Sequence, residues 1–397
     1  MAKNYEKTIR ACFIGYIVQA IVNNFAPLLF ITFQTTYDIP LAQITTLITI
    51  NFALQLMTDL AAAYFTDKIG YRASVLIAHT MAALGLIGLA VFPSVMPSPF
   101  VGLVMAVVLY AIGGGLLEVI VSPMVEACPS EHKDRTMSML HSFYCWGSVG
   151  VILVSTLVFW LFGIQNWRIL AALWAIVPIA NGIAFINVPI ISMEESTGES
   201  TPMSQLFKIK MFWIFIVLMC CAGASELVIS QWASAFAEKA LGISKSLGDL
   251  LGPTLFAVLM GLSRVIYGKY GDKIGLDRMM ILSCALCVIA YLMIALFDSA
   301  VIGLTGIAIS GFAVGIMWPG TYSKAAGVMK GGGTAMFAFL ALAGDLGCTS
   351  GPTFAGWTAA VFGDNLKVGI LCATVFPAVM LMTLLMTRNS LAHKSQQ

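Results

Sequence analysis

Charged residues are scarce in this chain. Only 10% of its 397 residues are Asp, Glu, Lys or Arg, whereas about a quarter of a soluble domain is charged. Hydrophobic residues make up 59% and the mean hydropathy is +0.92. This composition excludes an ordinary soluble protein, and we predict an integral membrane protein surrounded by a lipid bilayer. The formal net charge of +2 is too small to indicate a nucleic-acid partner.

The residue patterns of enzymes and metal proteins are absent as well. The sequence has no His-x-x-x-His, no nucleophile elbow and no phosphate-cradling glycine loop. The Cys284-x-x-Cys287 pair has no second pair and no histidines at metal spacing. We therefore expect no catalytic residues, no metal and no cofactor. The run after Arg10 is too long for a signal peptide and lacks a small-residue cleavage site, so we expect it to be a membrane span.

Long apolar runs are what the sequence does contain. A helix needs about 20 mostly apolar residues to cross a bilayer, and twelve segments qualify, six on each side of a polar stretch at 192–210. We predict a first bundle at 1–190, a flexible cytoplasmic linker at 191–210 and a second bundle at 211–397. The predicted spans are 11–33, 44–65, 73–92, 100–125, 136–162, 167–188, 211–236, 247–270, 279–297, 301–325, 334–362 and 368–386.

A charged turn occurs twice, half a chain apart. The sequence D-K-I-G-Y-R begins at Asp67 after span two, and D-K-I-G-L-D-R begins 205 positions later at Asp272 after span eight. Pro123 in span four is likewise matched by Pro319 in span ten. Internal repeats of this kind determine the fold. We predict an all-α membrane protein with twelve transmembrane helices in two parallel six-helix repeats.

The distribution of Lys and Arg predicts the orientation. With the N-terminus inside, sixteen of these residues lie on the cytoplasmic side and four outside, with Arg264 inside a span. Because cytoplasmic loops carry an excess of Lys and Arg, we expect both termini to be cytoplasmic.

These features resemble the major facilitator superfamily of transporters. The resemblance rests on the twelve spans and on A-x-x-x-D-K-I-G-Y-R and G-x-x-x-D-K-I-G-L-D-R after spans two and eight. Ala63 stands where the family usually has glycine. The resemblance implies an alternating-access transporter whose two bundles rock about a central site. It also implies that Asp67 and Asp272 make cytoplasmic contacts that hold one conformation.

Three acids lie inside predicted spans, where ionisable groups are costly and commonly functional. Glu118 lies roughly 16 Å from the cytoplasmic end of span four at ~1.5 Å per residue, which is the bilayer midplane. Asp345 in span eleven is at a similar depth, and Glu226 in span seven is somewhat further out. We predict that these three are proton-coupling residues. The alternative is that each is a protonated carboxyl bonded to a neighbouring helix.

A second set of charged residues lies towards the cytoplasmic side. Asp59 and Arg264 occupy equivalent positions, each eight residues before its motif aspartate. We predict that they belong to a cytoplasmic gate. For Arg264 the alternative is a side chain that extends to the membrane surface. The predicted gate residues are Asp59, Asp67, Arg72, His141, Arg264, Asp272 and Arg278.

Neutral amides and aromatic rings form a third set. Sugars need both, because their hydroxyls bind planar donors and acceptors while their C–H faces stack on rings. The alternative for aromatic residues is an interfacial belt. The predicted substrate-binding residues are Asn23, Asn24, Gln55, Trp146, Gln231, Trp232, Trp318 and Tyr322.

Within the superfamily, the run G-G-G-L-L-E-V-I-V-S-P resembles the fucose permease type of sugar/proton symporter. There a span-four glutamate precedes a proline by five residues, as Glu118 precedes Pro123. In that type of symporter, span one carries an aspartate near the position of Asn23. This chain has an amide there, which argues against a coupling mechanism that uses two carboxylates.

We accordingly predict a proton-driven importer of a sugar or similar small polar solute, monomeric and in a bacterial cytoplasmic membrane. One alternative is a proton-coupled antiporter that exports drugs or cationic metabolites. A non-transporting sensor is the other, and we disfavour it because no soluble domain is appended.

Overall fold

The structure, a computed structural model, describes residues 5–197, 201, 203–239, 245–363 and 365–394. These residues form α-helices, together with two 3-10 helices at Ala26–Leu29 and Ile164–Asn166. The helices of the first half are α1 (Glu6–Asn24), α2 (Phe30–Tyr37), α3 (Leu41–Ile69), α4 (Tyr71–Val95), α5 (Pro99–Ala127), α6 (Lys133–Phe162) and α7 (Trp167–Asn187). The helices that follow are α8 (Met193–Thr197), α9 (Met203–Leu206), α10 (Lys210–Lys239), α11 (Lys245–Ile274), α12 (Leu276–Leu296), α13 (Ala300–Val314), α14 (Met317–Val328), α15 (Gly333–Val361), α16 (Leu366–Ala373) and α17 (Val375–Lys394).

Many of these helices are long enough to cross a lipid bilayer. Ten helical segments of the described residues are long and apolar enough to cross a bilayer. The helices α3 and α11 are outside this group but have 29 and 30 residues, which is about 44 Å at ~1.5 Å per residue. The all-α membrane architecture is confirmed, and the segments agree with twelve spans.

Proline lies at helix breaks in several spans, among them spans one and ten. Pro27 lies in the 3-10 helix that separates α1 from α2, and Pro319 lies in the first turn of α14, just after the break from α13. Proline has no N–H, so the carbonyl four residues earlier loses its helical donor. For Pro319 that carbonyl belongs to Gly315, and Arg264 Nε donates to it at 2.8 Å. The break in span ten thus creates a binding point for a side chain of α11.

The two repeated turns have the same backbone conformation. Gly70 joins α3 to α4 with φ 83° and ψ 152°, and Gly275 joins α11 to α12 with φ 77° and ψ 136°. Side chains with a Cβ rarely adopt this region, whereas glycine does so readily. The repeated Ile-Gly pair therefore specifies a one-residue connection between antiparallel helices in both halves.

The described chain divides into two compact units. Unit 1 comprises Met1–Pro129, Trp146–Glu199 and Gly333–Ala338, and unit 2 comprises Ser130–Cys145, Ser200–Gly332 and Phe339–Gln397. Helix α6 is shared, since its first half belongs to unit 2 and its second half to unit 1. The bundle boundaries expected at 190 and 211 stay a prediction.

Glycine permits close helix packing within each unit. In unit 1, α5 packs against α1, α3 and α4, and a Cβ on Gly113 would lie 2.6 Å from the backbone nitrogen of Ala82. In unit 2, a Cβ on Gly347 of α15 would lie 2.0 Å from the carbonyl oxygen of Cys220 in α10. Small residues at such crossings let the backbones of membrane helices approach. These two glycines leave no room for a side chain.

The segment that we expected to be a flexible linker contains defined structure. Ser192 Oγ accepts from Glu195 N at 3.1 Å, and Ser192 N donates to Glu195 Oε2 at 2.9 Å. This reciprocal pair is a capping box, and it begins α8. Further along, Trp213 Nε1 donates to the carbonyl of Phe207 at 2.9 Å. The end of the segment is thereby fixed to the start of α10.

Candidate functional site

The contact between α1 and α5 in unit 1 carries Glu118. Tyr16 OH lies 3.0 Å from Ser122 Oγ, and Gln19 Nε2 donates to Glu118 Oε2 at 2.7 Å. One turn further, a Cβ on Gly114 would lie 3.8 Å from Asn23 Oδ1. The partners rise along α1 and fall along α5, so the two helices run antiparallel. We call this set of contacts the α1–α5 seam.

The glycines before Glu118 bring α3 to the same place. A Cβ on Gly115 would lie 3.3 Å from Gln55 Cα, and Gln55 Nε2 donates to Asn23 Oδ1 at 3.0 Å. Gly114 and Gly115, one turn before Glu118, thus make room for spans one and two. Asn23 and Gln55, predicted separately from the sequence, lie in contact.

Asn24 points towards a fourth helix. Its Nδ2 donates to the carbonyl of Ala20 at 2.9 Å and to Ser148 Oγ of α6 at 3.1 Å. Two residues before that serine, Trp146 is 40% exposed. Unit 1 therefore combines a carboxyl group, three predicted amides and an open indole on α1, α3, α5 and α6.

Gln19 was not among the candidates from the sequence, because it reads there as one more polar residue in an apolar run. Its side chain is only 3% exposed. The available signal was its spacing: Tyr16, Gln19 and Asn23 follow each other at the three- and four-residue steps of one helix face.

Arg264 is the centre of the polar contacts in unit 2. It is 3% exposed and donates from Nε to Gly315 O at 2.8 Å and from Nη1 to His141 O at 3.0 Å and Cys145 Sγ at 2.9 Å. Nη2 lies 3.3 Å from Glu226 Oε2. The alternative of a side chain that extends to the membrane surface is wrong, because every arm of the guanidinium binds a group inside the protein. The structure brings a predicted gate residue together with a predicted proton carrier.

The other predicted aromatic residues are more buried within the protein than Trp146. Trp318 is 8% exposed, and its ring occupies the place above Gly344, where a Cβ would come within 2.2 Å of it. The rings of Trp318 and Tyr322 meet edge to face at 6.4 Å, and that of His141 lies 5.8 Å from Tyr322. These three side chains form one buried group in unit 2.

Span seven and span eleven carry the remaining candidates. Trp232 Nε1 donates to the carbonyl of Pro352 at 3.0 Å, and Gln231 beside it is exposed. Asp345 is partly buried in α15, and the carbonyl of that residue accepts from Thr349 Oγ1.

The start of α6 is fastened to the end of α11 in unit 2. Arg135 donates from Nε to Gly268 O at 2.8 Å and from Nη2 to Lys269 O at 2.9 Å, and its Nη1 contacts Asp272 Oδ2. Asp272 also accepts from His132 Nδ1 at 2.9 Å. Arg135 thus binds two carbonyls in the last two turns of α11. We call this group of residues the α6–α11 joint.

Two further contacts belong to the joint. Tyr267 OH donates to Asp134 Oδ2 at 2.5 Å, and Ser138 Oγ donates to the carbonyl of Arg264 at 2.8 Å. The sequence identified Asp272 in this region but missed Arg135, Asp134 and Tyr267, which carry no motif of their own.

The first motif turn has different surroundings. Arg72 donates to the carbonyls of Phe185 and Ile186 at 2.6 Å and of Val188 at 2.8 Å, at the end of α7. Asp67 and Arg278 are exposed, and Asp59 is fully buried in α3. No group of three or more His, Cys, Asp or Glu in the described part of the chain could hold a metal ion.

Comparison with known proteins identifies one family. A sequence model described as Major Facilitator Superfamily matches residues 12–352 and 254–396. A search of curated proteins finds no match.

Three solved structures illustrate the likeness of fold. A variant of the E. coli fucose:proton symporter FucP has a TM-score of 0.80 at 13% identity, over 97% of this chain and 99% of that one. The proton:xylose symporter XylE, bound to 6-bromo-6-deoxy-D-glucose, has a TM-score of 0.78 at 13% identity, over 96% and 95%. The human organic anion transporter MFSD10 has a TM-score of 0.74 at 14% identity, over 96% and 99%. At such low identity these likenesses show the fold alone.

Proposed function

Because the chain belongs to the major facilitator superfamily, and is therefore a secondary transporter rather than an enzyme, we propose that it couples a small polar solute to proton flow by alternating access. A sugar or related polyol is the favoured class. The observation that carries the proposal is Glu118, held by Gln19 in a seam that also presents amides. We further propose import into a bacterial cell across its cytoplasmic membrane, by a monomer with both termini inside.

The position of Glu118 suits a proton carrier. It lies nine residues before the end of α5, which is about 14 Å along the helix and close to the middle of a hydrocarbon core about 30 Å thick. Desolvation there disfavours the charged form of a carboxyl group. A partly buried carboxyl can then bind a proton from one side and release it to the other.

The amides favour a neutral, hydroxyl-rich solute. Asn23, Asn24 and Gln55 offer both donors and acceptors, and the open ring of Trp146 can stack on a C–H face. Arg264 supports this class as well, because its guanidinium is bound to Glu226 and to carbonyls. It is thus not arranged as a binding site for an organic anion. Fucose and xylose, named for two structural neighbours, are of the favoured class.

The test is the Glu118→Gln variant in liposomes. Exchange of labelled for unlabelled solute requires no net proton movement, so we expect the variant to retain it. Accumulation driven by an imposed pH gradient requires a titratable group, so we expect that to be lost.

Glu126→Gln is the matched control, since Glu126 is a buried acid two turns further along the same helix. This control should still accumulate solute. A Glu118→Gln protein that concentrates solute as well as the control would remove Glu118 from the mechanism and leave Asp345 or Glu226 as the carrier.

A further inference from the structure

We infer that Gln19 is a positioning residue whose amide reverses when Glu118 gains or loses its proton. The inference rests on the proposed role of Glu118 as the proton carrier. It adds to that role a partner on another helix, which would transmit the protonation state of α5 to α1.

The first observation is the geometry of the pair. Gln19 Nε2 lies 2.7 Å from Glu118 Oε2, which is the length of a charge-assisted hydrogen bond. The amide nitrogen can only donate, and such a donor stabilises a carboxylate more strongly than the carbonyl oxygen of a protonated acid. In this orientation, Gln19 stabilises the deprotonated form of Glu118.

The second observation concerns the other end of the same amide. Gln19 is 3% exposed, and its Oε1 has no hydrogen-bond donor among the described residues. A buried acceptor without a donor is costly. If the only role of Gln19 were to position the carboxylate, a hydrogen-bond donor to Oε1 would stabilise the folded protein further.

Protonation of Glu118 supplies the missing donor. The carboxylic acid has an O–H, which the amide nitrogen cannot accept but the amide oxygen can. A half-turn about the last torsion of Gln19 exchanges the two ends of the amide at nearly constant shape, and this torsion is broad and roughly two-fold. The proton remains on Glu118 in the reversed pair, and one hydrogen bond is present in either state.

The rest of the seam can stay fixed while the amide reverses. Tyr16 is held by Ser122 on one side of Gln19, and Asn23 is held by Gln55 on the other. Reversal of the Gln19 amide therefore leaves these two contacts in place.

The neighbouring helices also carry titratable groups. Of the elements that pack against α5, α1 carries Cys12 and Tyr16 in its middle and Glu6, Lys7 and Arg10 in its first turns. Helix α3 carries Asp59, with Tyr64, Asp67 and Lys68 nearer its end, and α8 carries Glu194 and Glu195. On α4, His79 bonds to the carbonyl of Val75 and to Asn181. On α5 itself, Glu126 is two turns from Glu118.

The variant that tests the inference is Gln19→Met, which keeps the length of the side chain and removes both hydrogen-bonding ends. The donor that the variant removes stabilises the carboxylate more strongly than the lost acceptor stabilises the neutral acid, because a hydrogen bond to a charged group is the stronger one, so the variant favours the protonated form of Glu118. The midpoint of the pH profile of solute accumulation should therefore move up by about one pH unit, while exchange at constant pH continues. Gln43→Met, an exposed glutamine in the first turn of α3, should leave the profile unchanged.

Infrared difference spectra of the wild-type protein between high and low pH give a readout that does not depend on a variant that folds. With isotope-labelled glutamine, the carboxylic acid band of Glu118 should be accompanied by a shift in a glutamine amide band. Both signals should vanish together in Glu118→Gln.

An acid band assigned to Glu118 without any change in the glutamine bands would overturn the inference, as would a Gln19→Met profile with an unchanged midpoint. Either result leaves the role of Glu118 standing. Continued proton-driven accumulation by Glu118→Gln would instead refute the proposed function, and the inference with it.

Discussion

At the scale of single residues, burial separates the two tryptophans that the sequence placed together. Trp146 is open to one side, whereas Trp318 is enclosed and covers Gly344. An exposed ring can exchange its contacts with solvent for contacts with a solute, but an enclosed ring already has its partners. The sequence could not distinguish them, because both lie in the middle of apolar spans.

We predict opposite effects for the two alanine variants. Trp146→Ala should weaken solute binding by ~0.5–1.5 kcal/mol beyond the lost contact area with little change in thermal stability. Trp318→Ala should lower the free energy of unfolding by ~3 kcal/mol, because it leaves a cavity. Calorimetric titration and thermal unfolding in detergent measure the two quantities.

Trp160→Ala is the control for these variants, since that ring is 79% exposed and should affect neither quantity. If Trp146→Ala binds solute like the wild type while remaining well folded, Trp146 does not belong to the substrate site.

At the scale of helices, the α6–α11 joint is the clearest case of a contact between residues that are far apart in the sequence. A single arginine binds two carbonyls near the end of α11 and the motif aspartate at once. The planar guanidinium allows this, because its donors form a fixed fork that lysine lacks. The motif aspartate was predicted from the repeat, but its partner was not.

We expect Arg135→Lys and Asp272→Asn to slow transport while solute affinity in detergent stays near that of the wild type. The reason is that the joint fixes helix ends and contains none of the residues proposed to bind solute. Their effects should not add, with a coupling of at least ~0.5 kcal/mol in a double-mutant cycle. Initial rates of counterflow in liposomes provide the measurement.

Lys273→Gln serves as the control for the joint, because it removes an exposed charge next to Asp272. Strictly additive effects of Arg135→Lys and Asp272→Asn, or a loss of affinity equal to the loss of rate, would contradict a conformational role.

At the scale of the whole molecule, membership of the major facilitator superfamily makes the protein a secondary transporter, and the class of solute is the main open choice. Neutral amides on α1 and α3 favour sugars, whereas the alternative of drug or cation export relies on an excess of buried acids. The pairing of Glu226 with Arg264 reduces that excess by one.

A ligand screen by thermal unfolding distinguishes these classes. A solute present at 100 times its dissociation constant should stabilise the purified protein by about 2.7 kcal/mol. We expect stabilisation by a sugar or polyol, and none by cationic drugs or organic anions. The opposite pattern would favour the antiporter.

The fold could be read from the sequence because its determinants are local. Twelve apolar segments and a charged turn repeated after 205 residues require only counting, and Gly70 and Gly275 each specify their turn by their own backbone freedom. Glu118 was identified in the same way, since an acid in the middle of an apolar run is conspicuous without any knowledge of its neighbours.

The partners of the buried polar side chains, by contrast, could be identified only from the tertiary structure. Gln19 lies 99 positions from Glu118, and Glu226 lies 38 positions from Arg264, so no local pattern joins them. The guanidinium of Arg264 is held inside the protein because Pro319 leaves the carbonyl of Gly315 without a helical donor. Which polar groups meet depends on how the helices are rotated and how closely glycine lets them approach, and these quantities are set by the packing of the folded chain.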